Sequence, residues 1–338
     1  MKAVVLEGPG QAQLKDVEDR RGADRDSVLL RVRMVGLCGS DLNSYRGRNP
    51  LVSFPRIPGH EVAATVAETH ANFPQWREGT EVTLSPYSNC GQCAACLRGR
   101  SNACLSNQTL GVQRDGALTE YIAVPAERLF RAKLSLKELC LVEPLTVGFH
   151  AAARGRVAAG DTVAVFGCGG VGLGAVAGAA FRGATVIGVD LDDAKLATAR
   201  KAGAVHTINT AKRQLHAQLA ELTNGRGPDV IIEAIGLPET YRAAVEEVAY
   251  TGRVVYIGWA KEQVAYETRS FVHKELDILG SRNAQREDFD AVIQMLEGQR
   301  FPVDDAVTHI VPIDETPAIL EAWNREPARF TKIMVEVG

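Results

Sequence analysis

Short runs of hydrophobic residues, separated by Gly and Pro, characterise residues 1–145. The segments KAVVLE, SVLLRVRMVG and EVAATVAET are rich in aliphatic and β-branched residues and predict strands. No long stretch of this part repeats with the helical period of about 3.6 residues. We therefore expect a β-rich first domain with long loops, and long loops often carry functional residues.

Strands and helices alternate from about residue 148 onward. The predicted strands are TVAVFG (162–167), TVIGVD (185–190), HTIN (206–209), PDVIIEAIG, GRVVYIGW and LDILGSRN (276–283). The predicted helices between them are GVGLGAVAGAAFRG, DDAKLATARKAG, residues 211–222 and PETYRAAVEEVAY. Such alternation is typical of a parallel sheet with helices on both faces.

Two stretches need separate interpretation. Residues 162–181 contain no charge and match the length of a membrane span, but their six glycines and strand-to-turn pattern favour a buried strand, turn and helix. Near the C-terminus the pattern predicts helices over 286–298 and 315–324 and a final strand, KIMVEV. These elements are too few for a third domain, so we expect them to pack on the first.

Composition excludes several classes of protein. A chain of 338 residues predicts about two domains, and 46% hydrophobic with 23% charged residues excludes global disorder. The net charge of -3 creates no field that would attract nucleic acid or anionic lipid. The first residues, MKAVVLEGPG, lack the pattern of a signal peptide, and we expect a cytoplasmic protein with no membrane partner.

The segment GCGGVG at residues 167–172 fits the Gly-x-Gly-x-x-Gly fingerprint of dinucleotide-binding proteins. It follows a predicted strand and opens a predicted helix, which is the context that the fingerprint requires. Gly167 would allow the tight turn, Gly169 the approach of a pyrophosphate, and Gly172 the packing of helix on sheet. Gly170 and Val171 would begin the helix, whose free N–H groups face the phosphates.

Asp190 ends the next predicted strand, eighteen residues beyond the last glycine of the fingerprint. An acid at this distance binds the ribose hydroxyls and repels a 2′-phosphate. The residues that follow, Leu191, Asp192 and Asp193, include no Arg that would receive such a phosphate. The sequence therefore favours NAD over NADP.

Four of the seven cysteines lie within fifteen residues, at Cys90, Cys93, Cys96 and Cys104. Two-residue gaps followed by a fourth cysteine suit a closed tetrahedral zinc site, which would have a structural role. The loop-like surroundings, about 86–110, offer little core, so the metal would supply folding energy. A redox Cys-x-x-Cys and a zinc ribbon that binds nucleic acid fit less well, because four cysteines share one loop and few basic residues surround them.

A second group of possible metal ligands is spread along the chain: Cys38, His60, Glu61 and Glu143. A thiolate, an imidazole and a carboxylate from separate loops suit an open zinc site whose fourth position holds water or substrate. Spacing alone does not establish such a site, since a lone Cys or His is more often a buried structural residue.

The whole chain resembles the zinc-containing medium-chain dehydrogenases, the alcohol and polyol dehydrogenase family. The resemblance rests on Cys38-Gly-Ser-Asp41, Gly59-His60-Glu61, the four clustered cysteines, Glu143-Pro144, and GCGGVG with Asp190. It implies an α/β protein with a GroES-like, β-rich catalytic domain (1–146 and 277–338) that carries the zinc lobe. It also implies a doubly wound Rossmann domain (147–276) that binds NAD.

The resemblance also implies chemistry. Cys38, His60 and either Glu61 or Glu143 would hold a catalytic zinc, which makes two zinc ions per chain. Zinc would lower the pKa of a secondary alcohol, whose hydride passes to NAD, and Ser40 would carry the alcohol proton away. Many relatives have a histidine five residues after the zinc cysteine, where this chain has Asn43. An amide cannot take up a proton near neutral pH, so we expect the proton to leave through Ser40 and water.

Three residues, Tyr45, Arg282 and Lys274, are expected to contact the substrate. Tyr45 and Arg282 match substrate-contacting positions of sorbitol-type dehydrogenases, and Arg282 with Lys274 would bind a carboxylate. The stretch FVHKELDILGSRNAQREDF resembles a bacterial subgroup that acts on sugar acids such as L-galactonate or L-gulonate. We therefore expect an aldonate ahead of a neutral polyol or threonine, and family habit implies a dimer or tetramer. The alternatives are a nucleic-acid-binding zinc ribbon and a zinc- and NAD-binding sensor without turnover.

Overall fold

The computed structural model describes residues 1–18, 26–69 and 72–338. These residues divide into two compact units, which we call the first and the second unit. The first unit contains Met1–Glu143 and Val303–Gly338, and the second contains Pro144–Pro302. The expected boundary near residue 146 lies close to the observed one, whereas the expected boundary at 276 lies well before it.

The described residues contain fifteen strands and eleven α-helices. In chain order the strands are β1 (Lys2–Gly8), β2 (Gln11–Asp16), β3 (Ser27–Leu37), β4 (Glu61–Thr69), β5 (Glu81–Leu84), β6 (Tyr121–Pro125), β7 (Leu129–Phe130), β8 (Thr162–Phe166), β9 (Thr185–Asp190), β10 (His206–Asn209), β11 (Val230–Glu233), β12 (Arg253–Tyr256), β13 (Asp277–Gly280), β14 (His309–Pro312) and β15 (Ile333–Glu336). The helices are α1 (Gly39–Tyr45), α2 (Ala94–Leu97), α3 (Leu136–Arg154), α4 (Gly170–Phe181), α5 (Asp193–Lys201), α6 (Leu215–Leu222), α7 (Pro238–Glu247), α8 (Arg269–His273), α9 (Arg286–Glu297), α10 (Val303–Ala306) and α11 (Thr316–Arg325).

The first unit is built on a sheet in which the long strand β3 pairs antiparallel with β4, β6 and β15. Its sequence, SVLLRVRMVGL, is almost continuously apolar, and Leu30, Val32 and Val35 have no exposed surface. The register places Gly36 opposite Glu61 and Leu37 opposite Ile333. The end of β3, the start of β4 and the start of β15 therefore lie side by side.

The second unit contains a six-stranded sheet in the order β10-β9-β8-β11-β12-β13, in which every neighbouring pair is parallel. This confirms the predicted parallel sheet. The uncharged stretch 162–181 forms β8, the glycine turn and α4. Since β9 and β11 flank β8, Val163, Ala164 and Val165 are fully buried. Among the described residues, no helix has the length and apolar character that a bilayer crossing requires.

Two elements differ from the sequence expectation. Residues 277–302 were expected in the first domain but belong to the second unit. Their strand, β13, pairs in parallel with β12 of that unit. The helix α3 spans 19 residues where a β-rich region was expected to end. Nearly all of its positions from Leu139 to Ala152 are buried, so it has no polar stripe to reveal a helical period.

Candidate metal centres and dinucleotide-binding turn

The four clustered cysteines converge in the first unit. The sulfur atoms of Cys93 and Cys96 lie 3.6 Å apart, those of Cys90 and Cys104 3.6 Å, and those of Cys93 and Cys104 3.9 Å. Zinc–sulfur bonds of about 2.3 Å in a tetrahedron require sulfur atoms roughly 3.8 Å apart. All four sulfurs lie within 4.8 Å of one another, so the residues present fit a closed zinc site.

Local backbone structure sets this arrangement. Cys93 precedes the short helix α2, and Cys104 follows a single 3-10 turn at Ser101–Ala103. Hydrogen bonds from the N–H groups of Cys96 and Leu105 lower the pKa of the Cys93 thiol to about 6. A thiol that loses its proton this readily is prepared to bind a cation.

Little hydrophobic core supports the lobe around these cysteines. The side chains of Leu97 and Leu105 are 76% and 87% exposed. Helix α2 is four residues long and none of its residues is buried. Bonds between the cysteines and a bound metal would therefore stabilise this lobe more than packing does.

The second group of ligands lies at the ends of neighbouring elements of the first unit. Cys38 follows β3 and is the N-cap residue of α1, while His60 immediately precedes β4 and Glu61 begins it. One potential ligand atom from each of the three lies within 4.8 Å of the others. His60 and Glu61 are buried, and Cys38 is partly exposed. The set fits a zinc ion with a fourth, open position.

Asp41 hydrogen-bonds to both segments that carry the ligands, at Cys38 and at Gly59 next to His60. Its carboxylate accepts hydrogen bonds from the N–H of Cys38 at 2.8 Å and the N–H of Gly59 at 3.2 Å. Its Oδ1 also lies 3.9 Å from Nδ1 of His60, and that nitrogen has no hydrogen-bond partner among the described residues. Asp41 is 1% exposed, so it is a buried support of the ligands and not a solvent-facing acid.

The two candidate carboxylates have different partners. Both oxygens of Glu61 accept hydrogen bonds from Nζ of Lys332, at 2.6 and 2.7 Å. Glu143, which was expected on a loop, lies within α3 and accepts a hydrogen bond from the hydroxyl of Tyr87. The expectation of ligands from separate loops is thus corrected, because Glu61 belongs to a strand and Glu143 to a helix.

Burial and mutual charge control protonation in this site. Burial raises the pKa of Asp41 and that of Glu143. Burial alone would lower the pKa of His60, but the charges of Asp41 and Cys38 raise it well above the usual range. Burial and the neighbouring Glu143 raise the pKa of Tyr87, which therefore remains a hydrogen-bond donor. A cation that binds here would therefore displace protons from these groups.

Ser40 lies in the first turn of α1, two residues after Cys38. Its hydroxyl is buried and lacks a hydrogen-bond partner within the part of the chain that the structure describes. A buried hydroxyl without a partner is costly, and a bound ligand that supplies one would remove the cost. Ser40 does not cap the helix, since the N-cap position belongs to Cys38.

The glycine fingerprint forms the turn between β8 and α4 in the second unit. Gly167 has a φ of +91, which favours glycine, and a Cβ on Gly172 would lie 1.8 Å from the carbonyl oxygen of Gly167. A Cβ on Gly169 would meet nothing within 4 Å, so the backbone there faces open space at the helix N-terminus. Gly170 and Val171 begin α4. The turn is shaped to receive a phosphate group.

Asp190 ends β9 beside this turn. Its Oδ2 accepts a hydrogen bond of 2.8 Å from the N–H of Cys168, and its Oδ1 accepts from Leu191 and Asp192. These bonds fix the carboxylate against the glycine turn. Cys168 itself is fully buried, and burial raises the pKa of its thiol to about 12, which excludes a reactive thiolate.

The three expected substrate residues lie in different surroundings. Nζ of Lys274 donates to the carbonyls of Val245, Glu246 and Val248, at 3.3, 2.6 and 2.8 Å. Lys274 therefore caps the C-terminal end of α7, where cations are favoured, and its expected role in substrate binding stays a prediction.

Tyr45 belongs to the hydrophobic core with Leu42 and Trp323 and is 5% exposed, and its expected contact with substrate stays a prediction. An aromatic ring packed in this way stabilises the first unit. Arg282 lies in the exposed segment that follows β13 in the second unit. Of the three expected substrate residues, Arg282 is the most exposed.

Sequence reasoning missed three residues that contact the ligand set: Asp41, Tyr87 and Lys332. Asp41 carried a signal, since it lies three residues after Cys38 in the motif used for the resemblance. Tyr87 and Lys332 carried none, because each reaches the site only through the folding of distant segments.

Models of two families match the chain. The alcohol dehydrogenase GroES-like domain matches residues 24–134, and the zinc-binding dehydrogenase family matches residues 170–298. The fold and the site thus define a zinc-dependent oxidoreductase.

The chain is 30% identical over 327 residues to L-galactonate-5-dehydrogenase of Escherichia coli K12, covering 96% of this chain and 95% of the relative. It is 37% identical over 290 residues to sorbitol dehydrogenase of Bacillus subtilis, covering 83% and 81%. A solved structure described as a short chain alcohol dehydrogenase (rspB) of E. coli CFT073 with NADH superposes with a TM-score of 0.91, at 28% identity and covering 100% and 99%. The chain belongs to the zinc-dependent medium-chain alcohol and polyol dehydrogenases, whose members use a nicotinamide cofactor.

Proposed function

We propose that the protein oxidises a secondary alcohol of a sugar acid, with NAD as the hydride acceptor and two zinc ions per chain. The observation that carries this proposal is the convergence of Cys38, His60 and Glu61, whose ligand atoms lie within 4.8 Å of one another. These residues, with Glu143 nearby, would hold the catalytic zinc, and the four-cysteine lobe would hold a structural zinc. Bound zinc supplies a Lewis acid that lowers the pKa of the alcohol.

The chain's own groups would handle the alcohol proton. The buried hydroxyl of Ser40, which has no partner among the described residues, would accept a hydrogen bond from the alcohol and pass its proton to water. Asn43, five residues after Cys38, can hydrogen-bond a ribose hydroxyl but cannot relay a proton. Asn43→His is therefore expected to add a titrating group and shift the pH–rate profile. An unchanged profile would argue against this route.

The glycine turn and Asp190 would bind NAD. The backbone at Gly169 and the N-terminus of α4 would face the pyrophosphate, and the Asp190 carboxylate would accept a hydrogen bond from the adenosine ribose. Asp190 would repel a 2′-phosphate. Asp190→Ala is expected to raise KM for NAD at least tenfold while improving relative use of NADP, which initial-rate measurements with both cofactors would test.

An aldonate is the substrate we favour. The support is the similarity to L-galactonate-5-dehydrogenase over 96% of the chain, together with the exposed residue Arg282, since a guanidinium binds a carboxylate bidentately. A neutral polyol is the second candidate, favoured by the similarity to sorbitol dehydrogenase. The ammonium of Lys274 already caps α7, so Arg282 is the residue that we propose for binding the carboxylate.

A reduction assay distinguishes these candidates. The purified protein, with its zinc content measured, would be screened for reduction of NAD and of NADP with hexonates, hexitols, threonine and simple secondary alcohols. We expect two zinc ions per chain and the highest kcat/KM with a hexonate and NAD. A single zinc ion without turnover would favour the sensor alternative.

Arg282→Ala tests recognition of the carboxylate. It should raise KM for the hexonate at least tenfold and leave KM for a matching hexitol unchanged. Arg269→Ala is the matched control, because Arg269 is an exposed arginine of the second unit that forms an ion pair with the exposed Glu267. Full kcat/KM of Arg282→Ala on the hexonate would remove this role.

A further inference from the structure

Glu233 ends β11 and is a fully buried carboxylate whose two oxygens differ in their bonding. Its Oε1 accepts hydrogen bonds from the N–H groups of Ile235 and Gly236, at 2.9 and 2.8 Å, and from the hydroxyl of Thr240, at 2.8 Å. Its Oε2 is buried and has no hydrogen-bond partner in the part of the chain that the structure describes. All three donors are neutral, so none of the groups bonded to this carboxylate matches its charge.

Burial makes the negative charge of Glu233 costly. It raises the pKa of this carboxyl, although the three hydrogen bonds act in the opposite direction. Glu61, which is equally buried, has the ammonium of Lys332 as its partner. A cation that binds near Glu233 would supply the compensating charge that its hydrogen-bond donors do not.

The order of strands places Glu233 at an edge suited to a dinucleotide. The sheet runs β10-β9-β8-β11-β12-β13, so the chain builds outward from β8 on one side and returns to β11 on the other. In open parallel sheets, ligands bind at the carboxyl ends of the strands where the order reverses. Asp190 ends β9 on one side of β8, and Glu233 ends β11 on the other.

The turns that follow β8, β11 and β12 meet around Glu233. A Cβ on Gly167 of the glycine turn would lie 2.7 Å from Cγ1 of Ile235, and a Cβ on Gly258 would lie 2.6 Å from Oε2 of Glu233. The residues Ile235 and Trp259 are 43% and 75% exposed. The buried carboxylate thus lies directly beneath a surface of the second unit that is open to a ligand.

The direction of the cofactor along this edge follows from Asp190. With the adenosine ribose at Asp190 and the pyrophosphate at the glycine turn, the nicotinamide half extends toward the carboxyl ends of β11 and β12, beside Glu233. The nicotinamide ring carries a positive charge in oxidised NAD and none in NADH. A buried carboxylate senses this difference, because the effective dielectric constant of a protein is about 20, against about 80 in water.

We propose that the buried charge of Glu233 makes the second unit favour oxidised NAD over NADH, and so favours the oxidation of alcohols over the reverse reaction. Direct contact with the ring is not required, since a charge acts over several ångströms in a medium of low dielectric constant. The inference rests on the proposed use of NAD and adds the residue that selects the oxidation state of the cofactor.

Glu233→Gln tests the proposal, because the amide oxygen still accepts from Ile235, Gly236 and Thr240 while the charge is lost. Fluorescence titration gives Kd for NADH, and competition against NADH gives Kd for oxidised NAD, both at mildly alkaline pH. We expect Kd for oxidised NAD to rise at least tenfold and Kd for NADH to change less than threefold. Equal changes in the two Kd values would indicate a purely structural role and overturn the proposal.

Glu247→Gln is the matched control. Glu247 is the last residue of α7, its side chain is 14% exposed, and its carboxylate contacts His216. Since α7 runs from the carboxyl edge of the sheet to the opposite edge, loss of this charge should leave the ratio of the two Kd values within threefold of wild type.

Glu233→Asp and Glu233→Asn form a second pair that differs in charge, and they keep the proposal testable if Glu233→Gln does not fold. The aspartate variant should retain the preference for oxidised NAD, and the asparagine variant should lose it. The same preference in both variants would contradict a role of the charge.

These binding measurements need no turnover, so two failures can be told apart. If the wild-type protein binds neither oxidised NAD nor NADH, the proposed use of NAD fails and this inference with it. If the wild-type protein binds both and Glu233→Gln leaves the ratio of the two Kd values unchanged, only this inference fails.

Discussion

The two cysteine-containing sites of the first unit are assembled in opposite ways. The four-cysteine lobe takes its ligands from fifteen consecutive residues, has little core and exposes Leu97 and Leu105. The site of Cys38, His60 and Glu61 is buried and depends on the register of β3 with β4 and β15. In the first site the metal would hold the fold together, and in the second the fold would hold the metal. Four substitutions test this contrast.

The largest effect is expected for His60→Ala. It should lower kcat by on the order of 10³-fold, since the metal's Lewis acidity contributes several kcal/mol to catalysis. Because the sheet and not the metal organises this site, the far-ultraviolet circular dichroism and the zinc content of the lobe should stay unchanged. Loss of both zinc ions would break the contrast.

Cys104→Ser should give the reverse result. Cys104 is fully buried and its sulfur lies within 3.9 Å of those of Cys90 and Cys93, so its loss opens the closed site. We expect loss of the lobe zinc and a fall in the free energy of unfolding on the order of 4 kcal/mol. Thermal unfolding with metal analysis measures both, and an unchanged Tm would show that the lobe folds without metal.

A smaller effect is expected for Asp41→Asn. The amide can accept from only one of the N–H groups of Cys38 and Gly59, and its NH₂ group must face the other donor. Affinity for the catalytic zinc should fall about 10- to 100-fold, as for other residues that orient ligands. Chelator competition would test this, with lobe zinc as the internal reference. Equal weakening at both sites would indicate general destabilisation.

Gly36→Ala should have the smallest effect on stability, about 1–3 kcal/mol, because its methyl group must displace the Glu61 carboxylate. Gly8→Ala is the matched control on β1, where a Cβ would meet only the side chain of Gln11, at 3.9 Å. Denaturant unfolding of both variants measures the difference. Equal stability of the two would mean that Glu61 moves aside at no cost.

Local sites could be predicted from the sequence because the residues that form each of them are close neighbours along the chain. The cysteine lobe and the glycine turn are of this kind. The parallel sheet of the second unit was predicted for the same reason, since each strand and helix carries its own pattern.

The buried site could not be predicted from spacing. Cys38 and Glu61 meet through strand register, and only the family resemblance brought them together beforehand. Lys332, 271 residues from Glu61, left no sequence signal at all. Position in a motif likewise does not reveal that a helix end engages Lys274 or that a hydrophobic core encloses Tyr45.

The order of biosynthesis gives the Glu61–Lys332 pair a further consequence. Ribosomes add about 5–20 residues per second, so the 271 residues between these partners take on the order of 15–50 s to appear. The cysteines of the lobe emerge nearly together, early, and can capture an ion on the nascent chain. Glu61 must wait for Lys332 until the whole second unit has been made. The proposed metal centre would thereby receive its ion only when the polypeptide is nearly complete.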